Sequence, residues 1–181
     1  MLARTIGSRL VKGEAVLEPL RPWFKGATAV VNLECAVPDE FSPKGFCAPA
    51  AAVSALHGVG VRAVSLANNH AGDAGPAGLA QTARTLTGAG IAPFGQGAEG
   101  TVIELSGGLK VTLFGWFDQG PVRAADLADR IRGAERPVVL AHWGVEHDRV
   151  PSAGQRSAAR EFIAAGAKII AGAGPHAVQP L

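Results

Sequence analysis

The chain has 181 residues, 48% of them hydrophobic and 18% charged, with a formal net charge of +2. A chain of that size buries enough surface for one self-sufficient core, and its composition excludes a disordered protein. Its 17 basic residues are scattered, so neither a Lys/Arg track nor an aromatic stacking platform marks a nucleic-acid partner.

Residues 27–33 (ATAVVNL) read as a buried strand, and the Pro-rich stretch 38–49 reads as a loop. Residues 50–57 predict a helix. Residues 63–67 (AVSLA) predict a second strand that ends at Asn68, Asn69 and His70. Leu79, Ala83 and Leu86 stand at helical spacing and predict a helix over 75–87, stopped by the glycines at 88 and 90. Segments 102–105 and 110–117, separated by 106–108, read as a hairpin. Then follow a helix over 124–132, a strand over 138–141 ending at His142, a helix over 157–165, and a strand over 168–171 leading into the loop with His176. Strands alternating with helices, plus one hairpin, predict a single layered α/β domain over residues 1–181 with a mixed sheet.

No apolar run reaches the ~18 residues of a spanning helix, and no signal-peptide apolar region opens the sequence, so a soluble chain without a membrane span is expected. Cys35 and Cys47 match neither a zinc ribbon nor a CxxC redox pair, which leaves both one disulfide and two free thiols open.

Three of the predicted strands run into polar segments: ANNHAGDAG from Ala67, AHWGVEH from Ala141 and GAGPHAVQP from Gly172. In open α/β sheets ligands bind outside the carboxyl ends of the strands, so these ends predict one shared pocket with metal-dependent chemistry. Glu34 closes VVNLE, where a carboxylate needs a metal, an Arg or backbone donors to offset its desolvation, and Asn32 is placed to support it. Imidazole is the commonest metal-binding side chain; His142 stands at the mouth of a buried strand, and His176 sits in a GPH loop after the final strand. Together Glu34, Asn69, His70, His142 and His176 form a mixed oxygen and nitrogen set suited to Zn, Mn or Fe. Structural roles compete residue by residue. Asn69 suits a helix cap, Asp73 could cap the helix that begins near Gly75, Glu146 and His147 suit a solvated surface, and His57 faces out of an alanine-rich helix.

At these residues the chain resembles the CapA-type proteins of capsule and poly-γ-glutamate biosynthesis, a branch of the calcineurin-like metallophosphatase superfamily. VVNLE, SLANNHAGDAG followed by LTGAGIAPFGQG, AHWGVEH with downstream PSAGQ, and GAGPHAVQP occur in that family's order and spacing over nearly the whole chain. The resemblance implies a four-layer α/β/β/α fold around a metal centre. It makes Glu34 the carboxylate ligand, Asn69 the amide-oxygen ligand, His142 and His176 imidazole ligands, and His70 the general acid. It implies a divalent-metal hydrolase of phosphoester type, in which metal-bound water attacks phosphorus. The implied partners are an anionic polymer or a phosphoester small molecule and envelope biosynthesis proteins, and the implied location is the bacterial cell envelope.

Family members carry Gly-Asp ahead of a segment like 1–4 and further elements after the last motif. The first strand, one aspartate ligand and the C-terminal elements are therefore expected outside this sequence. The family's last loop commonly reads Gly-x-His-Pro-His, and Gly174 stands at the first His. At most one firmly held ion is expected, with affinity rising when the upstream Gly-Asp and a Gly174→His change are supplied. The competing expectation is a non-catalytic member that binds polymer or partner proteins.

Overall fold

In the computed structural model, residues 2–42 and 45–180 are described. They divide into two compact units: residues up to Val64 together with Asn69–Pro93, and Ser65–Asn68 together with the chain from Phe94 onward. The result is a mixed α/β protein, as the alternation of strand and helix signals predicts, with its strands in two sheets where that alternation suggested one mixed sheet.

The first unit begins with α1 (Arg4–Val11), a 3-10 turn (Glu18–Leu20) and α2 (Arg21–Phe24), none of which the periodicity announced. It continues with β1 (Ala29–Asn32), α3 (Ala51–Gly58), β2 (Val61–Ser65), α4 (Gly75–Gly88) and β3 (Ala92–Phe94). These strands form a three-stranded sheet in the order β1-β2-β3. β2 begins and ends two residues earlier than predicted, so Leu66 and Ala67 lie beyond it and stand between the strand and the asparagines. α4 buries Gly78, Thr82 and Leu86, one face at four-residue spacing. Thr82 is fully buried because its hydroxyl is satisfied twice: it donates to the Gly78 carbonyl at 2.8 Å and accepts the Val37 N–H at 2.8 Å. That second bond ties α4 to the segment carrying Glu34.

The second unit contains β4 (Thr101–Glu104), β5 (Lys110–Phe117), α5 (Ala124–Ile131), β6 (Pro137–His142), α6 (Ala153–Ala165) and β7 (Ile169–Ala173). Its sheet runs β4-β5-β6-β7. β4 and β5 form the predicted antiparallel hairpin, whereas β5, β6 and β7 are parallel. One register row runs Phe117–His142–Ala173, so the carboxyl ends of three strands are level. The strands and the two helices enclose Phe114, Trp116, Leu127, Ile131, Val139 and Phe162. Trp116 meets Phe162 edge-on at 5.2 Å and donates its indole N–H to the Val122 carbonyl at 2.9 Å, which satisfies the polar end of a buried ring.

α6 starts at Ala153, four residues before the predicted 157. Ser152 and Gln155 form a capping box there: the Ser152 hydroxyl accepts the Gln155 N–H at 3.1 Å, and the Gln155 side chain accepts the Ser152 N–H at 2.9 Å. The polar opening PSAGQ hid this start from an apolar-periodicity reading.

Candidate functional site

Glu34, Asn69 and His70 belong to the first unit, and His142 and His176 to the second. Glu34 lies two residues beyond β1 and is half-buried. The Asn32 side chain donates to its Oε2 at 3.5 Å, the support the sequence suggested. Asn69 is exposed, while its neighbour Asn68 is buried.

His70 is held from two sides. Its Nδ1 lies 2.9 Å from Asp73 Oδ2, and its ring stacks on Phe46 with centroids 4.0 Å apart and planes inclined by 29°. The Arg4 guanidinium lies 4.1 Å from the centroid of that same Phe46 ring, a cation–π contact. Asp73 is therefore no helix cap: α4 has Ala74 at its N-cap and no side-chain cap bond. The carboxylate accepts from the imidazole instead, which in the neutral ring assigns the proton to Nδ1 and the lone pair to Nε2. A His with Asp three residues on was the available signal. Phe46, brought in by the Pro-rich loop, had none.

Both cysteines are free thiols, which decides between the two alternatives left open by their spacing. Burial pushes the Cys35 thiol up to about 11. The Cys47 thiol is also raised, first by burial and then by the Asp73 carboxylate.

In the second unit His142 is the last residue of β6, 7% exposed, with Phe117 edge-on at 5.6 Å. His176 follows β7 in a loop and is exposed, with φ of 54°. Its Nε2 lies 3.9 Å from Glu146 Oε1, and its ring centroid lies 6.3 Å from that of His147, which itself has φ of 69°. Glu146 and His147 are exposed, as expected, but they also accompany His176, which sequence reading did not show. The two loops are joined through backbone: Trp143 N–H donates to Ala173 O at 2.9 Å, and His147 N–H donates to Pro175 O at 2.6 Å.

Gly174 sits where these loops touch. Its φ is +116°, and a Cβ there would lie 2.6 Å from the Trp143 carbonyl oxygen and 3.1 Å from the Trp143 nitrogen. A histidine at 174 would have to move backbone, so Gly174→His is not the simple repair the family pattern suggested.

Among the described residues, no three His, Cys, Asp or Glu side chains are grouped so as to hold a metal ion; Asn, which the candidate set includes, is outside those residue types. The candidate donors still match divalent-metal chemistry in kind: one carboxylate, one amide oxygen and two imidazoles. A cavity of about 670 Å³ in the second unit is lined by Trp143, Gln155, Ile163, Ile169 and Val178, and by none of the candidate donors. A smaller one of about 260 Å³ in the first unit reaches Asn32 and Glu34.

The family profile described as "Bacterial capsule synthesis protein PGA_cap" matches residues 1–181. The chain belongs to the PGA_cap family. It is 29% identical over 154 residues to the "Capsule biosynthesis protein CapA" of Bacillus anthracis, covering 70% of this chain and 38% of that protein. It is 40% identical over 55 residues to the "PGA biosynthesis protein CapA" of Bacillus subtilis (strain 168), covering 30% of this chain and 14% of that protein. This PGA_cap chain thus spans well under half the length of both curated relatives. No helix among its described residues is long and apolar enough to cross a membrane.

Proposed function

We propose that this PGA_cap chain is a CapA-type, metal-dependent hydrolase of the phosphoester class, acting in capsule or polymer biosynthesis at the bacterial cell envelope. Glu34, Asn69, His142 and His176 are its proposed ligands for Zn, Mn or Fe, and His70 its general acid. A four-layer α/β/β/α arrangement is part of the same reading. The observation that carries it is the buried His142 imidazole, which ends one of two neighbouring parallel strands while His176 follows the other. That is where open sheets present ligand-binding groups.

A bound metal would supply a water of lowered pKa and polarise a phosphoryl oxygen. The chain's own residues do the rest. Asn32 holds the Glu34 carboxylate by a side-chain hydrogen bond. Asp73 and Phe46 fix the His70 ring, so that its proton exchange takes place at Nε2. The substrate class proposed is an anionic phosphoester, as a small molecule or as part of a polymer.

Gly174 favours a second reading, in which the chain is a non-catalytic component binding polymer or partner proteins. Its packing against Trp143 excludes a His ligand at that position. Metal titration with elemental analysis decides between the two, alongside hydrolysis of bis(p-nitrophenyl) phosphate. The hydrolase reading expects about one ion per chain, lost together with turnover in His142→Ala. A chain that takes up no stoichiometric metal overturns it and leaves the non-catalytic reading.

A further inference from the structure

The PSAGQ segment contains a buried side chain that the proposed chemistry does not use. Gln155 is 5% exposed, and its amide is hydrogen-bonded at both its oxygen and its nitrogen. Its Oε1 accepts the Ser152 N–H at 2.9 Å, and its Nε2 donates to Gln179 Oε1 at 2.9 Å. Gln179 Nε2 in turn donates to the Asp148 carbonyl at 3.1 Å. The Gln155 amide also lies directly under Gly144: a Cβ at 144 would stand 2.8 Å from both Cδ and Nε2 of Gln155, and Gly144 has φ of +83°.

The two glutamines therefore connect three segments, two of which, the loops after β6 and β7, are also joined by the Trp143–Ala173 and His147–Pro175 backbone bonds. α6 supplies Gln155, the loop after β6 supplies Gly144 and Asp148, and the loop after β7 supplies Gln179. We infer that Gln155 and Gln179 form a side-chain clamp that sets the register of the His176 loop against the Glu146–His147 loop, making them positioning residues for the imidazoles of this unit. A helix cap alone needs only Ser152 and the Oε1 of Gln155. The Nε2 bond to Gln179, relayed to Asp148, lies outside that capping box and ties α6 to the two loops. His147 and His176 both hold left-handed backbone there, which persists only where surrounding contacts over-determine it.

The clamp stands on this bonding, while its consequence for metal binding rests on the hydrolase reading. The test is residue-resolved amide hydrogen exchange on the whole chain. Gln179→Ala removes the clamp and spares the cap, and exchange at the His147 N–H should speed up by about fivefold, with the thermal midpoint little changed. Ser152→Ala removes the cap hydroxyl and should lower the midpoint while leaving His147 exchange slow under native conditions. Unchanged His147 exchange in Gln179→Ala overturns the clamp. A zinc titration of the same proteins separates the two ideas. If wild type binds zinc, Gln179→Ala should weaken it several-fold, and unchanged affinity would refute positioning. If wild type binds none, the hydrolase reading fails, and the exchange result alone decides the clamp.

Discussion

His70 Nδ1 and Asp73 Oδ2 lie 2.9 Å apart, three residues from each other at the entrance to α4, with the His70 ring stacked on Phe46. The carboxylate sets the tautomer and the aromatic ring sets the plane. Removing the carboxylate in Asp73→Ala should redistribute the neutral ring's proton between Nδ1 and Nε2, read from the imidazole ¹⁵N shifts. With His70 as the general acid, turnover should fall with metal content unchanged, by less than the roughly 10²- to 10⁴-fold that the acid itself contributes. A tautomer that stays on Nδ1 in the variant would show that Asp73 does not orient the ring.

Gly174 should resist every side chain. With φ of +116° and a Cβ position 2.6 Å from the Trp143 oxygen, Gly174→Ala is expected to destabilise the protein by about 1–3 kcal/mol in urea unfolding. Gly174→His should lose stability at least as strongly and should not gain metal affinity. A stable Gly174→His protein with tighter metal binding would mean that the loop after β7 relaxes freely away from Trp143.

The cysteines make stability pH-dependent on the alkaline side. The Cys35 pKa is raised by burial from 9.0 to about 11. As pH climbs past 9.0 the unfolded thiol ionises while the folded one stays neutral, so the stabilisation is complete below about 9 and disappears as pH passes through about 11. Urea midpoints should therefore decline across that window, and Cys35→Ala should flatten the decline. Iodoacetamide should modify half-buried Cys47 well before buried Cys35 under native conditions. Equal rates at the two thiols would contradict the burial of Cys35.

The elements that position the candidate residues were legible from local pattern. Helical spacing placed α4 within a residue of its observed span, and alternating apolar runs around a Gly-rich turn placed the β4–β5 hairpin. The apolar run of β6 placed His142 at a strand end, because 3.6- and 2-residue periods are written into neighbouring side chains. The capping box that starts α6 was equally local and could have been read from Ser152 and Gln155. What only the tertiary structure decided was which side chain meets which. Asp73 bonds His70 and leaves α4 uncapped, Phe46 arrives from a Pro-rich loop to cover that imidazole, and Gln155 reaches Gln179 across two loops. Such pairings depend on where loops bring the chain back on itself, and no period along the sequence encodes that. Gly174 shows the same limit. Its missing side chain reads as a lost ligand in the motif, and packing against the Trp143 backbone shows it to be the residue that lets two loops close.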